Sequence, residues 1–401
     1  MGYPFASGRT MAQTPGATGL NALLQETETD QRLRPVEADL LRQTEGVVVQ
    51  WYGRAATALC RSYQIARKLA GDDQHAEVIL PSISCATPAN TALLAGVRPR
   101  FADVDPATGM PTLETIQQRW TPRTCAVVFI HLFGQTADLR PLSEWCRSKN
   151  ILLIEDLAQA LGASLPDGSP AGSVGDMSVY SFNPTKILEC GGGALAVRSL
   201  KIAELLKELA EADPLPSEID EVHNKILALS YRNLHHSLVA LLRTRAVDEI
   251  STVFLKVQPA FRSLYMRQMK NPAALLKAWR NLPKVLQRRA RNADLYDSAL
   301  STGNWQILGK WRESGICWRY SLLVNFPDQL VTFSEAVRRD GFHVSNLYWP
   351  VNDFFRPTDR CPEADRFARR IVNLWVDSTV DPEWVANCAK SLLKNAPPTA
   401  S

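Results

Sequence analysis

The sequence predicts an α/β protein with a large domain on a mainly parallel sheet and a smaller α+β domain after it. Three observations carry that expectation. From about Val47 to Arg198, short β-branched runs alternate with helix-like stretches, as in sheets wound with helices on both faces. From about Leu200 to Asp297, Leu and Ala recur at three- and four-residue spacing and strand patterns nearly vanish. The last hundred residues mix strand and helix patterns again.

The strands expected in the first region are Glu77-Val-Ile-Leu-Pro81, Arg100-Phe-Ala-Asp-Val104, Cys125 to His131, Ile151 to Glu155, Met177 to Phe182 and Ala194 to Val197. The third and fourth are nearly continuous apolar runs, which suits strands covered on both faces. Helices are expected over Thr87 to Ala95 and Leu139 to Lys149. In the last region, Gly315 to Asn325 reads as strand, Leu330 to Asp340 as helix, Ser345 to Pro350 as extended chain and Pro382 to Asn395 as a closing helix. The expected organisation is an arm at 1–35, a large domain at 36–200, a helical insert or interdomain segment at 201–285 and a small domain at 286–401. In sheets of this kind ligands sit beyond the carboxyl ends of the strands.

Composition narrows the function classes. A chain of 401 residues can bury a large core without covalent staples. Its 45 Lys and Arg against 41 Asp and Glu argue against a dedicated nucleic-acid binder. Eight cysteines without a CxxC pair suit free thiols in the cytoplasm, not a disulfide scaffold or a zinc site, and no metal site is expected. No run of eighteen apolar residues exists, so no membrane span is expected, and the first twenty residues lack the apolar core of a secretory signal. The near-neutral balance conceals one asymmetry: Ser251 to Ala293 holds ten Lys or Arg and no acid. That stretch reads as a solvated basic face or as a surface for an anion such as a diphosphate.

Three segments supply chemistry. Asp156, in Ile154-Glu-Asp-Leu-Ala-Gln159, ends a buried strand, where a carboxylate is costly without a partner. Taken alone, it reads more readily as the cap of a following helix. Lys186, in Ser181-Phe-Asn-Pro-Thr-Lys186, sits on a proline-constrained turn ahead of Gly191-Gly-Gly193. A lysine so placed can form a Schiff base, although most lysines are merely solvated. Gly53-Arg54-Ala55 opens a helix whose backbone N–H groups suit a phosphate, or else marks a close packing turn. An acid for a ring nitrogen, an amine for an aldehyde and a cradle for a phosphate are together what pyridoxal 5′-phosphate requires.

These stretches resemble the DegT/DnrJ/EryC1/StrS family of sugar aminotransferases, which are pyridoxal-phosphate enzymes of fold type I. The likeness rests on Leu93 to Asp105, His131-Leu-Phe-Gly-Gln-Thr-Ala-Asp138, Glu155-Asp-Leu-Ala-Gln159 and Ser181 to Lys186, with a looser match at Ile371 to Trp375. The resemblance implies that Lys186 binds the cofactor aldehyde and moves the proton, and that Asp156 pairs with the ring nitrogen. It implies that Gln159 contacts the ring and that Ser181, with backbone around Gly53, Arg54 and Ala55, takes the phosphate. It also implies a homodimer, a keto-sugar substrate (nucleotide-linked) and an amino-acid donor such as glutamate.

The chain departs from the family in places. Cys85 stands where an aromatic residue often stacks on the ring, and Leu161 stands where His is common. Tyr231-Arg232-Asn233 has the residue types of a partner-subunit loop in another order, and His235 and His236 are adjacent and suggest no shared metal. His131 is expected either to line the site or to be a satisfied core histidine. The Trp residues at 305, 311, 318, 349, 375 and 384 read as core and interface packing. The departures leave two alternatives open: the same cofactor acting on a non-sugar ketone, and a non-catalytic structural relative.

Overall fold

The computed structural model describes residues 30–211, 269 and 271–398. Its large sheet has seven strands: β1 (Val48–Tyr52), β2 (Glu77–Pro81), β3 (Arg98–Ala102), β4 (Thr124–Ile130), β5 (Leu152–Asp156), β6 (Met177–Ser181) and β7 (Gly193–Val197). Their order is β1-β7-β6-β5-β4-β2-β3. Strands β2 to β6 pair in parallel, while β7 runs antiparallel to both β6 and β1. Every residue of β2, β4, β5, β6 and β7 is buried, which explains why these strands are apolar runs and not alternating patterns.

A second sheet of four antiparallel strands holds β8 (Trp305–Ile307), β9 (Tyr320–Val324), β10 (Val344–Ser345) and β11 (Ile371–Leu374), in the order β10-β11-β9-β8. It packs with the helices Leu282–Leu300, Leu330–Arg339 and Pro382–Asn395 around its own core. The last of these helices has the limits its sequence signals, with Asp381 accepting from Trp384 N at 2.7 Å and Pro382 at the first position.

Several expectations shift. The strand expected over Gly315 to Asn325 is confined to Tyr320–Val324. The residues before it dock on the loop after β4: Ile316 N donates to Gly134 O at 2.9 Å and Trp318 N to Phe133 O at 3.2 Å. A Cβ on Gly315 would lie 2.2 Å from Gly134 O, so only glycine allows that approach. Ile316 and Trp318 therefore belong to the main core, not to the second one. The helix Arg34–Thr44 starts inside the stretch expected as an arm and buries Val36 and Leu40.

Of the basic stretch, the residues up to 268 lie outside the described ones, as do Tyr231-Arg232-Asn233, His235 and His236. Within the described part, Arg289 is not on a solvated face. It is 3 % exposed and donates to Trp318 O at 2.9 Å, and burial lowers its pKa to about 10. Among the described residues no helix is long and apolar enough to cross a membrane.

Candidate active site

Strand register assembles the site. Ile130 of β4 lies beside Asp156 of β5, and Asp156 beside Val179 of β6, so the ends of three parallel strands open on one edge. Gly193 of β7 pairs with Ser181 on one side and with Tyr52 on the other. That places the turn after β1 next to the end of β6, although 128 residues separate Gly53 from Ser181 in sequence. A single cavity at this edge is lined by Arg54, Ala55, Cys85, Asp156, Ser181 and Lys186. Of the residues singled out in the sequence, Gly53 and Gln159 are buried and do not line it.

The helix Ala55–Leu69 points its start at the cavity. Arg54 precedes it in extended conformation and supplies no side-chain cap, Thr57 N turns back to Arg54 O at 3.1 Å, and Arg54, Ala55 and Ala56 face the cavity, where a helix start suits an anion. Gly193 lets β7 touch this turn: an added Cβ would lie 2.4 Å from Ala55 N and 2.6 Å from Ala55 Cα. The expectation that the glycine run permits close backbone approach is met here, against the helix start.

Asp156 ends β5 and is followed by turns, not a helix. Its Oδ1 accepts from Ala158 N at 2.9 Å, a local turn contact and not a helix cap. Burial pushes its carboxyl above the ordinary aspartate range, offset only in part by the Ala158 N–H and by the charges of Lys186 and His131. No cation bridges it among the described residues. Glu155, its neighbour, points the other way and is saturated. It accepts from His131 Nε2 at 2.9 Å and from the N–H groups of Gly172, Val174 and Gly175 at 2.8, 2.9 and 2.6 Å. Burial opposes its charge, but His131 and those backbone donors outweigh burial and hold its carboxyl below the usual range. His131 is thus a core histidine with no exposed surface, bonded to Glu155 through Nε2 while its buried Nδ1 has no hydrogen-bond partner, and it does not line the cavity.

Gln159 is engaged elsewhere. Its Oε1 accepts from Phe133 N at 2.7 Å and its Nε2 donates to Tyr348 OH at 2.9 Å, leaving one amide hydrogen. Lys186 follows Thr185, whose φ of +73° is exceptional for a β-branched residue. Thr185 N donates to Glu189 Oε1 at 3.0 Å, and Trp318 Nε1 donates to Thr185 O at 2.7 Å. The Lys186 amine stands 6.0 Å from the Trp318 ring centre. Sequence reasoning passed over Asn183, Thr87 and Ala56, which also line the cavity. Asn183 lies inside the Ser181 to Lys186 motif and donates toward Ser181 Oγ at 3.5 Å, so its position was the available signal. Leu161 is buried and away from the lining.

A buried carboxylate without an ion-pair partner among the described residues, an amine lining the same cavity and a helix start without a side-chain cap together fit a phosphorylated, protonated aromatic aldehyde. Sheet, cavity and residue set define an aminotransferase fold. The chain belongs to the DegT/DnrJ/EryC1/StrS aminotransferase family, whose model matches residues 51–393, and it is a pyridoxal-phosphate-dependent enzyme. It is 28% identical over 353 residues to dTDP-4-dehydro-2,3,6-trideoxy-D-glucose 4-aminotransferase of Saccharopolyspora spinosa, covering 86% of this chain and 84% of that one. It is 37% identical over 321 residues to UDP-N-acetyl-3-dehydro-alpha-D-glucosamine 3-aminotransferase of Acidithiobacillus ferrooxidans, covering 78% and 76%. Among solved structures, aminotransferase TlmJ from Streptoalloteichus hindustanus shares the fold with a TM-score of 0.70 at 23% identity, covering 95% of this chain and 96% of that one.

Proposed function

We propose that the enzyme converts a nucleotide-linked keto sugar to an amino sugar with an amino-acid donor such as glutamate, using the cavity at the end of β5 and β6. The reading rests on Asp156, Lys186 and the Arg54–Ala55 helix start lining one cavity, in a chain similar to enzymes named for dTDP- and UDP-linked keto sugars. Pyridoxal 5′-phosphate, when bound, supplies an aldehyde that joins to amines and a protonated ring that withdraws electrons. Asp156 holds the proton on the ring nitrogen, and the pairing removes the penalty that burial puts on its charge. Ser181 and the N–H groups of Ala55 and Ala56 bind the phosphate, with Arg54 adding charge and Gly53 allowing the turn. Cys85 contributes to the wall of the ring pocket. Lys186 binds the aldehyde carbon covalently at rest. The same amine, when free, would carry the proton at the carbon that bears the nitrogen. Gln159 supports the ring pocket by fixing Phe133 and Tyr348.

Borohydride treatment of protein loaded with pyridoxal phosphate should fix the cofactor on Lys186, and Lys186→Ala should abolish both the adduct and all amination. An adduct on another lysine overturns the assignment. A panel of nucleotide 3-keto and 4-keto sugars, assayed with glutamate and glutamine, tests the substrate, and amination of simple ketones alone overturns the sugar reading. A second reading has one observation behind it. The chain is 34% identical over 152 residues, 38% of its length, to L-glutamine:2-deoxy-scyllo-inosose aminotransferase of Streptomyces kanamyceticus, whose name carries no nucleotide. Amination of that ketone in the same panel would favour it. We also propose a homodimer in the cytoplasm. The eight cysteines are all free, as a reducing compartment requires, and sedimentation at a single dimeric mass tests the assembly.

A further inference from the structure

We propose that Trp318 is a positioning residue for Lys186, so that the segment before β9 sets the geometry of the reactive amine on the large domain. The inference rests on Lys186 being the cofactor lysine. Thr185, the residue before it, is held in the left-handed region, where a β-branched side chain is strained. Such a conformation persists only where its surroundings impose it. The peptide is held at both ends: Glu189 Oε1 accepts from Thr185 N at 3.0 Å, and Trp318 Nε1 donates to Thr185 O at 2.7 Å. The second bond comes from 133 residues away in the chain.

Trp318 is itself immobilised. It is 2 % exposed, and its ring stacks on Phe133 at 6.0 Å with planes 9° apart. The Arg319 guanidinium lies 4.8 Å from the Trp318 ring centre. Its backbone oxygen accepts from Arg289 Nη1 at 2.9 Å and Arg319 Nη1 at 3.3 Å, and its N–H donates to Phe133 O at 3.2 Å. Arg319 is anchored in turn by Asp377 at 2.7 Å. A tryptophan held at its backbone oxygen by two buried arginines, with its ring stacked on Phe133 and under the Arg319 guanidinium, is a rigid donor. Its single indole N–H is spent on the peptide that presents Lys186, and its ring stands 6.0 Å from the lysine amine. A ring needed only to fill the core has no requirement for that donor.

The test compares Trp318→Phe, which keeps an aromatic ring and loses the N–H, with the double variant Trp318→Phe/Thr185→Gly. Glycine adopts positive φ without strain, so it removes the need for the donor. Trp318→Phe should lower kcat by about tenfold, the worth of one buried hydrogen bond, with KM little changed. It should also shift the pH midpoint of the visible band of the bound cofactor and slow trapping on Lys186 at limiting cofactor. The double variant should recover most of each loss. Trp311→Phe, which removes another buried indole whose Nε1 has no hydrogen-bond partner, should change none of these. Trp318→His keeps a ring N–H and should hold the wild-type midpoint even if the Phe variant fails to fold. An unchanged Trp318→Phe enzyme, a loss that Thr185→Gly does not restore, or a shifted midpoint in Trp318→His would each overturn the proposal. Failure of wild-type protein to trap cofactor on Lys186 would instead remove the reading of the site on which the proposal stands.

Discussion

Glu155 and Asp156 are consecutive, both buried, both at the end of β5, and they face opposite sides of the sheet. On one side, four donors converge on Glu155. On the other, Asp156 has a single N–H from its own turn and an open cavity before it. The first arrangement stabilises a charge in the folded protein. The second leaves a charge short of partners. The same residue chemistry thus builds structure on one face and reserves a site for a cation on the other.

The strongest way to break this contrast is Glu155→Gln. A side-chain amide has one acceptor oxygen and must turn its NH₂ toward donors, so it opposes part of the set. Breaking a buried ionic cluster of this kind should cost about 4 kcal/mol of stability at neutral pH, read by urea denaturation. The sign with pH follows from the lowered pKa: this stability is present above the unfolded carboxylate value of about 4.3 and is lost as pH falls through the folded value. The variant and wild type should therefore converge in acid, and a gap that persists there would contradict the ionic account.

Asp156→Asn should do the reverse to stability and the greater harm to chemistry. Amination should fall about a hundredfold, because a neutral amide cannot hold the proton on the ring nitrogen. Yet the cofactor-free variant should melt a few degrees higher at neutral pH. The raised pKa fixes that sign: stability from Asp156 is complete below its unfolded value of about 3.9 and is lost as pH rises through the folded value. A cofactor-free variant that melts lower than wild type would show that Asp156 has a buried cationic partner after all.

A smaller effect tests the cradle beside that cavity. Gly193→Ala places a methyl group 2.4 Å from Ala55 N, against backbone that cannot swing aside. Cofactor affinity, measured by fluorescence titration, should weaken about tenfold as the helix start is displaced, which is about 1.4 kcal/mol. Unchanged affinity would show that the phosphate does not rest on the helix start.

Much of this was legible in the sequence, and the reason is local. Asp156, Ser181 and Lys186 lie at the ends of apolar runs or within a few residues of them, so the pattern that predicts the strands also predicts where those side chains emerge. The glycine run ahead of β7 was legible because few other functions need consecutive glycines. Glu155 was hidden beside its neighbour, since nothing local says that a loop at Gly172 to Gly175 will fold back on it. Trp318 was hidden for the same reason. It lies in a run that reads as strand, and only the docking of Ile316 and Trp318 on the Gly134 loop reveals its partner. Gln159 follows Asp156 by three residues and so reads as part of the same segment, but the Tyr348 hydroxyl that takes its amide comes from 189 residues away.

Strand order also has a consequence in time. β1 is synthesised first of the seven strands yet hydrogen-bonds only to β7, with Val48 opposite Val197. At roughly 5–20 residues per second on the ribosome, the edge strand waits about 7 to 30 seconds for its neighbour. The strands between can pair meanwhile, while the ladder that ties β1 to the rest of the sheet waits for β7. Chains that stop short of Gly193 lack the strand that joins Ser181 to Tyr52, so the backbone link between the end of β6 and the turn after β1 is made by the last strand of the sheet to leave the ribosome.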